Sequence, residues 1–426
     1  MKEDLLHFIW GQNKLHGRQL TSTTKEALFV RAPGILNHYA GPDFFNAQVE
    51  IEGQFWAGNV EIHIKSSDWY AHNHEEDPRY DNVILHVVWE DDVSVFRKDG
   101  SQIPTLELKN YIPRSLLERY EALLQKTNIT FINCEKHFDE MDSFLVEQWY
   151  HRLYVERLEQ KSRVIENHLK RTNNDWEAVL FAMLLKSFGS TLNGELFMSK
   201  AMQLDFSIVR KTRDNSTSLE SLLFGYLGLL QEQNCTDSYF LQLNEEYRYL
   251  SKKFNVSIAL EKPKFYGLRP SNFPTLRVSQ LVHLYCNEEG LFATLMEIKD
   301  LKAIYDLFEV STSTYWENHY TFGKVSKRSI KKVSKAFVDL LVINTLIPLR
   351  FCHDKHLGRD GSDQLIAWME QLDSEKNSIV GGFENLGTKT KNALESQAQL
   401  QLYKNYCSKN KCLQCNLGAR LLNRNI

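Results

Sequence analysis

Long apolar runs, export signals and common catalytic motifs are missing from this 426-residue sequence. No apolar run reaches the roughly 18 residues of a membrane helix, so we expect no membrane association. The first residues, MKEDLLHFIWG, carry acids and no small-residue cleavage site, which predicts a cytoplasmic protein. A Gly-rich phosphate loop, a GxSxG elbow and an HExxH helix are absent too. Their absence argues against ATPases, serine hydrolases and zincins.

A strong net charge is also missing, but the charges are unevenly distributed. The whole chain has a formal net charge of −3, with 51 basic and 54 acidic residues. Residues 1–110 hold 10 Lys or Arg against 17 Asp or Glu, a balance of −7. Such an acidic segment is suited to binding cations rather than phosphates.

The pattern of apolar residues changes along the chain from β-like to helical. Leu5, Leu6, Ile9 and Trp10 have helical spacing, and from Ala27 onward short Val-, Ile- and Phe-rich runs alternate with turn residues. Gly53 and the Asp99-Gly100 pair are typical of hairpin turns. We therefore predict an α+β protein. An N-terminal helix and a twisted, mainly antiparallel sheet would be followed by a large all-α part.

Three segments are expected from these patterns. Residues 1–115 would be the β-rich part, 116–262 a first helical domain and 263–426 a second, with a Pro-rich loop near residue 262 between the helical blocks. Asp175 and Ser218 are predicted to cap the N-termini of two of the helices.

Histidines and acids are concentrated in one short stretch of the β-rich segment. Four of the fourteen histidines fall between residues 63 and 86, among several acids. Alternate residues of a strand share a face, so Glu61, His63 and Lys65 should point the same way. His86 could reach that face from a neighbouring strand. Imidazoles and carboxylates that converge on a sheet favour a divalent-metal site, for which the candidate ligands are Asp43, Glu61, His63, His72, His74 and His86.

A second pattern overlaps this one. Pro42-Asp43, seventeen residues and then Glu61-Ile62-His63 resembles the Pro-Asp…(Asp/Glu)-x-Lys motif of the restriction-endonuclease-like nucleases. That fold begins with a helix and a β-hairpin and carries the two acids on adjacent strands. The resemblance implies that Asp43 and Glu61 hold Mg²⁺ or Mn²⁺ and that His63 or Lys65 acts on the attacking water. His63 stands where the motif has Lys, and Lys65 follows one same-face step later.

A wider resemblance covers nearly the whole chain. The stretch PGILNHYAGPDFFNAQVEIEGQFWAGNVEIHIKSSDWYAHNHEEDPRYDNVILHVVWEDD is similar to the start of an uncharacterised bacterial family, domain of unknown function 2851. GLRPSNFPTLRVSQL, VINTLIPL and SQAQLQLYKNYCSKNKCLQCNLGARLL resemble later parts of the same family. The resemblance implies no activity.

Three of the seven cysteines lie together near the C-terminus. Cys407, Cys412 and Cys415 form a C-x4-C-x2-C pattern, which is used for structural zinc and for iron–sulfur clusters. Cys134, Cys352 or His353 could supply a fourth ligand. The arrangement is similar to that of the iron–sulfur exonucleases of CRISPR adaptation and helicase–nuclease complexes. The alternative is that these cysteines are reduced thiols packed in a terminal helix.

Two basic features could contact DNA or RNA. KVSKRSIKKVSK would align Lys324, Arg328, Lys331 and Lys335 along one helical face, which suits a phosphate backbone but is also typical of a solvated surface. Arg269 and Arg277 lie in the Pro-rich loop, where they would bind an anion or join two helices.

Three kinds of function remain open from the sequence. The first is a divalent-metal-dependent nuclease or phosphodiesterase with Asp43, Glu61, His63 and Lys65 as catalytic residues. The second is a non-enzymatic binding or scaffold protein that metals stabilise. An open site would indicate the enzyme, and a closed four-coordinate ion would indicate the scaffold. The third is a hydrolase that uses His-bound zinc on a small substrate, and it would have a closed pocket without a basic approach.

Overall fold

The structure is a computed structural model that describes residues 2–15, 18–37, 39–124, 130–232, 235–256 and 261–423. The expected α+β class, with an N-terminal helix, a sheet and a large helical part, is confirmed. The strands are β1 Leu20–Thr21, β2 Ala27–Ala32, β3 Ile35–Leu36, β4 Phe44–Ile51, β5 Gln54–Lys65, β6 Val83–Glu90 and β7 Thr105–Glu107.

The sheet is mixed. Its strand order is β1-β2-β4-β5-β6-β7, and β3 pairs with β4. The pairs from β1 to β5 are antiparallel, whereas β5, β6 and β7 run parallel to one another. The predicted turn at Gly53 is confirmed, because β4 and β5 form a hairpin in which Glu52 and Gly53 have φ of 50° and 77°.

Parallel pairing of β5 and β6 requires a long crossover, and residues 66–82 supply it. The crossover contains a short helix and two further turns. Two of the candidate ligands, His72 and His74, lie on this crossover rather than on a strand.

The sheet buries both of its faces. One face carries Val60 and Ile62 of β5 into the main core of the N-terminal region, together with apolar residues of the first and third helices. The other face is covered by the crossover, where Trp69 and Tyr80 pack with Val83. Alternation along β5 therefore turns Glu61 and His63 away from the main core and toward the crossover.

The rest of the chain is predominantly helical. The helices are α1 Glu3–Gly11, α2 Asp68–Ala71, α3 Arg114–Leu124, α4 Ser143–Arg171, α5 Trp176–Phe188, α6 Ser190–Ala201, α7 Phe206–Thr212, α8 Ser216–Tyr226, α9 Ser238–Phe254, α10 Pro274–Asn287, α11 Leu291–Glu297, α12 Leu301–Leu307, α13 Lys335–Leu341, α14 Ile347–His356, α15 Ser362–Gln371, α16 Ser378–Glu384, α17 Ala393–Asn405 and α18 Asn416–Leu422.

One predicted cap is confirmed and the other is wrong. The Asp175 carboxylate accepts a hydrogen bond from the Ala178 amide at 3.0 Å and caps α5. Helix α8 is capped by Asn215, so Ser218 lies inside the helix, where its hydroxyl donates to Glu246 at 2.7 Å. Asn215 precedes the first helical residue and accepts from the amides of Thr217 and Ser218, so it occupies the position that Ser218 would have needed.

The chain forms two compact units. The first, here the N-terminal unit, comprises residues 1–149, 385–388 and 401–426, and the second, the helical unit, comprises residues 150–384 and 389–400. This division differs from the three segments expected from composition, because apolar residues of α3 and of the C-terminal segment belong to the main core beside the sheet, namely Leu116, Tyr120, Leu123, Cys412 and Leu422.

One stretch, Lys335–His356, is long and apolar enough to cross a membrane by length and composition. It was not recognised as an apolar run in the sequence. Of its most apolar window, 56% is buried inside the molecule. Buried core helices of soluble proteins have the same composition, so this stretch is only weak evidence for a membrane span.

Candidate metal centre

The histidines of β5, β6 and the crossover meet on the crossover face of the sheet. The Nδ1 atom of His63 is 2.9 Å from Nε2 of His86, and its Nε2 atom is 3.2 Å from Nδ1 of His72. In the part of the chain that the structure describes, His63, His72 and His74 form a group of ligand atoms that all lie within 4.8 Å of one another. The fold thus brings together the predicted candidate ligands from β5, β6 and the crossover.

Strand register explains how His86 reaches this group. In the parallel pairing of β5 with β6, Glu61 lies opposite His86 and His63 lies opposite Val88. His86 is fully buried, and its Nδ1 atom has no hydrogen-bond partner among the described residues. Its contact with His63 fixes the orientation of that ring, as a second histidine behind a ligand does in metal sites.

Aromatic rings hold His74 in place. Its imidazole stacks on the Tyr80 ring at 3.8 Å and meets Trp69 edge-on at 5.4 Å. His74 is half-buried and His72 is exposed, so the cluster opens to solvent on the crossover side.

The Glu61 carboxylate adjoins two of the three imidazoles. Its Oε1 atom lies 3.3 Å from Nε2 of His74 and 3.5 Å from Nε2 of His63. Burial, followed by the neighbouring charge of Asp43, raises the pKa of Glu61 to about 9. Glu61 therefore favours its neutral form until a cation offsets the cost of burying its charge.

Burial also favours neutral imidazoles. It lowers the pKa of His63 to about 2 and that of His86 to about 3, with repulsion from neighbouring histidines adding to the effect. The pKa of His74 is lowered by burial as well. Neutral imidazole is the form that binds metal ions.

Asp43 and Glu61 are joined across the β4–β5 hairpin. The Asp43 amide donates to Glu61 Oε2 and the Ile62 amide donates to Asp43 Oδ2, both at 3.0 Å. The two acids of the predicted motif thus lie side by side, Glu61 on β5 and Asp43 immediately before the antiparallel strand β4. Asp43 is held at the edge of the histidine cluster, where His7 Nε2 contacts its Oδ2 at 3.1 Å.

His7 was not identified from the sequence. It lies on α1 four residues after Glu3, so the two residues share one polar face of a mostly apolar helix. This spacing was the only sequence signal that could have pointed to His7. Burial lowers the pKa of His7, but the hydrogen bond and the charge of Asp43 outweigh burial and raise it overall.

Lys65 stays outside the cluster. Its side chain is half exposed, and its Nζ atom is 3.9 Å from Asp92. The face predicted from alternation is correct for Glu61 and His63, but Lys65 is the last residue of β5, opposite Glu90 of β6, and its side chain extends into solvent.

A cavity of about 810 Å³ adjoins Asp43 through His7. Helices α1 and α3 line it together with the C-terminal cysteine segment. Three lysines and one acid contribute charge to its wall, namely Lys2, Lys409, Lys411 and Asp4.

The predicted basic helical face is not formed. Residues 324–334 are not helical, and the chain enters α13 only at Lys335. Lys331 is buried and donates to the carbonyl of Glu317 at 2.8 Å, while Arg328 pairs with the Glu317 carboxylate at 2.8 Å. Lys335 pairs with Asp339, and Lys324 is exposed.

The two arginines of the Pro-rich loop differ. Arg269 is exposed, whereas Arg277 is buried. The Arg277 guanidinium donates to Asn272 at 2.7 Å and lies 3.7 Å from the centre of the Phe337 ring. It therefore joins structural elements, which is one of the two roles expected from the sequence.

The comparisons with known proteins give a family without an activity. The family model described as "Protein of unknown function (DUF2851)" matches residues 3–378. No curated protein and no solved structure matches the chain.

Proposed function

We propose that this chain, which belongs to the DUF2851 family of unknown function, is a divalent-metal-dependent phosphodiesterase that cleaves nucleic acid. The observation that carries the proposal is the group formed by His63, His72 and His74, with the Glu61 carboxylate against two of its members. We further propose a cytoplasmic location, in which the seven free cysteines would stay reduced.

The donor set fits a transition-metal ion. Donors bound to one ion at about 2.1 Å lie at most about 4.2 Å apart, so the 4.8 Å limit on the three imidazoles is close to the required geometry. Nitrogen donors favour Zn²⁺ or Mn²⁺ over Mg²⁺, which prefers oxygen. Three protein nitrogens with an exposed His72 leave a position open to substrate, as in catalytic rather than structural sites.

The surrounding residues have separate tasks in this proposal. A bound ion would polarise the phosphate and lower the pKa of water in the site. Once a bound cation offsets the cost of burying its charge, the Glu61 carboxylate, beside two imidazoles, would accept a proton from the attacking water. His86 orients His63, and Asp43 fixes Glu61 through its backbone amide.

The cavity lies next to this site, because His7 lines it and contacts Asp43. Lys2, Lys409 and Lys411 line it and would attract a phosphate backbone, while His7 connects it to Asp43. An N-terminal helix is followed by Asp43, immediately before β4, and by Glu61 on the adjacent strand β5, and this order supports the phosphodiester class over other hydrolytic substrates through the nuclease resemblance.

The test is a cleavage assay on the full chain after chelation. Zn²⁺, Mn²⁺ and Mg²⁺ would each be added to the stripped protein with labelled single- and double-stranded DNA and RNA. We expect cleavage with Zn²⁺ or Mn²⁺, and a loss of more than about 100-fold in Glu61→Gln, since removing a catalytic base or ligand has effects of this size.

Glu50→Gln is the matched control, because Glu50 lies on the adjacent strand and pairs with Arg31 away from the cluster. It should cleave like the unmodified chain. Cleavage that persists in Glu61→Gln, or no cleavage with any of the three ions, would overturn the proposal. Metal binding without cleavage would instead support the scaffold alternative.

A further inference from the structure

The helical unit contains a cavity of about 600 Å³ that has no part in the phosphodiesterase proposal. It lies among α4, α5, α6 and the segment that joins α13 to α14, and every residue that lines it belongs to the helical unit. Sites for small molecules have volumes of roughly 300–1,000 Å³. The cavity is therefore large enough to hold a small organic ligand.

Most of the cavity wall is apolar. Its apolar side chains come from all of the surrounding helices, namely Val164 and Ile165 of α4, Met183 of α5, Met198 of α6 and Pro348 of α14. Val164 is 55% exposed, so part of this apolar surface is in contact with water. Methionine side chains adapt to the shape of an apolar partner. An apolar ligand would displace water from this surface, which favours binding.

The helix on one side of the cavity is irregular. Residues Val342–Leu346 form a π-helical turn between α13 and α14, and Asn344 and Thr345 of this turn line the cavity. Pro348 has no backbone N–H, so the Asn344 carbonyl lacks the donor that a regular α-helix would supply. The Thr345 hydroxyl lies 2.9 Å from that of Ser187 and joins the turn to α5. Because π-helical turns are frequent at functional sites, this wall favours a binding role.

The corner between α5 and α6 is strained. Ser190, at the start of α6, lines the cavity and has a φ of 56°, in the left-handed region that residues other than glycine rarely adopt. A Cβ atom on Gly194 would lie 2.9 Å from the Lys186 carbonyl oxygen, so α6 is held close against α5. Strained residues that the surrounding structure holds in place are concentrated at ligand sites.

The lining residues carry a small positive charge. Two lysines, Lys161 and Lys186, stand against one glutamate, Glu195. The Glu195 carboxylate pairs with Lys186 at 2.7 Å, and the Lys161 Nζ atom donates to the Asn344 side-chain oxygen at 3.2 Å. The balance of one positive charge suits a ligand with a single negative charge.

His168 also lines the cavity and lies in the same positive potential. Burial, followed by the charges of Arg171 and Lys186, lowers its pKa. Its imidazole is therefore mostly neutral near pH 7 and adds little charge to the wall. The positive charges that act on this side chain would also attract a bound anion.

We infer that this cavity binds a small apolar molecule that carries one carboxylate. The apolar body would lie against Met183 and Met198, and Lys161 and Lys186 would attract the carboxylate. A phosphate ester carries up to two negative charges and would need more cations than the wall supplies. The inference does not depend on the phosphodiesterase proposal, because the residues concerned lie in the other unit.

The experiment uses anilinonaphthalene sulfonate, a fluorescent probe with apolar rings and one negative charge, on the full chain. We expect saturable binding of the probe. Decanoate should displace it at a concentration at least about 10-fold lower than decylamine, which has the same apolar chain but a positive charge, because hydrogen bonds to charged groups contribute energies of this size. Equal displacement by the two compounds, or no saturable binding of the probe, would overturn the inference.

Lys161→Met removes a positive charge but keeps an apolar side chain, and it should raise the decanoate concentration for half displacement by about 10-fold. Lys170→Met is the matched control, because Lys170 is an exposed residue of the same helix outside the cavity. The inference fails if the two variants give the same displacement curve. Lys186→Met should weaken decanoate binding as well, and it decides the question if Lys161→Met does not fold, because the Lys186 side chain is 46% exposed.

The cavity of the N-terminal unit also has lysines on its wall, so a last pair of substitutions distinguishes the two cavities. Lys409→Met combined with Lys411→Met should leave decanoate displacement unchanged. If these two substitutions weakened it and Lys161→Met did not, the carboxylate would bind in the N-terminal unit and the inference would be wrong.

Discussion

Buried ionisable groups have different kinds of hydrogen-bond partner in the two units. In the helical unit, Glu220 is fully buried, but its Oε1 accepts from the Trp316 indole at 2.6 Å and faces the Ser313 hydroxyl at 3.5 Å. In the N-terminal unit, His63, His74 and Glu61 mainly face one another, and His86 has a ring nitrogen without a partner.

This difference distinguishes buried polar groups that stabilise the fold from buried polar groups proposed to bind a ligand. A buried group whose partners are hydrogen-bond donors of the same chain is satisfied by folding alone. A buried group whose neighbours are other titratable groups is not satisfied by folding alone, and on the proposed function a cation would complete its environment. The following variants test this contrast, from the largest expected effect to the smallest.

The largest effect is expected for His63→Ala. Removing the central imidazole should raise the dissociation constant for Zn²⁺ or Mn²⁺ by more than about 100-fold, because even outer partners of metal ligands contribute 10- to 100-fold. Isothermal titration calorimetry on the stripped chain measures it. Lys65→Ala, two residues further along β5 but outside the cluster, should bind like the unmodified chain. If both variants bound Zn²⁺ or Mn²⁺ with the same affinity, the histidine cluster of the N-terminal unit would not be the metal site.

A smaller effect is expected from the satisfied carboxyl in the helical unit. Burial raises the pKa of Glu220 from 4.5 to about 7, so its neutral form contributes stability that is present below pH 4.5 and is lost as the pH rises through 7. Between about pH 5 and pH 8, the loss should be about 2–3 kcal/mol. Urea unfolding of Glu220→Gln should lack this part of the pH dependence.

Glu297→Gln is the control for that measurement, because Glu297 is exposed on α11. It should follow the pH dependence of the unmodified chain. If Glu220→Gln did so too, Glu220 would not be the group that titrates.

A third pair of variants measures how closely the helical unit is packed. A Cβ atom on Gly225 of α8 would lie 2.2 Å from the Tyr247 ring, whereas one on Gly381 of α16 would meet nothing within 4 Å. Gly225→Ala should destabilise the protein by about 1–3 kcal/mol through overpacking. Gly381→Ala should stabilise it by up to about 1 kcal/mol through helix propensity. Thermal unfolding of both chains gives the comparison, and a stabilising Gly225→Ala would show that α8 and α9 do not pack as closely.

The smallest effect is expected at the cavity of the N-terminal unit. Replacing Lys409 and Lys411 with Gln should weaken single-stranded DNA binding only a few-fold and reduce its salt dependence, because each lysine supplies about one phosphate contact. Lys324→Gln with Lys327→Gln, on the exposed segment of the helical unit, should leave both unchanged. If only the Lys324→Gln and Lys327→Gln variant bound DNA more weakly, the nucleic-acid contact would lie on the predicted basic segment instead.

Much of the fold was predictable where periodicity is local. Alternation along β5 assigned Glu61 and His63 to one face, and the glycine at position 53 marked the hairpin. The basic segment was not predictable in the same way. Its spacing fits a helix, but Lys331 donates to backbone carbonyls and is buried, so tertiary contacts override the local pattern.

The sequence predicted which residue types form the candidate site, but not which strands and distant residues bring them together. The excess of histidines identified the region, but no local signal indicates that β6 runs parallel to β5, which sets Glu61 opposite His86. Long-range partners were likewise hidden. His7 contacts Asp43, and the Asn133 side chain donates to the Cys412 sulfur, only after the chain has folded, since sequence spacing carries no information about such contacts.

The parallel arrangement of β5 and β6 has a consequence for how this chain tolerates change in length. Antiparallel neighbours could be joined by two residues, but parallel ones need a return path of a dozen or more. His72 and His74 occupy that obligatory path, between two strands that hold the rest of the cluster. Shortening residues 66–82 would thus displace these imidazoles while the strands stayed paired, so homologous chains should vary less in the length of this connection than in loops elsewhere.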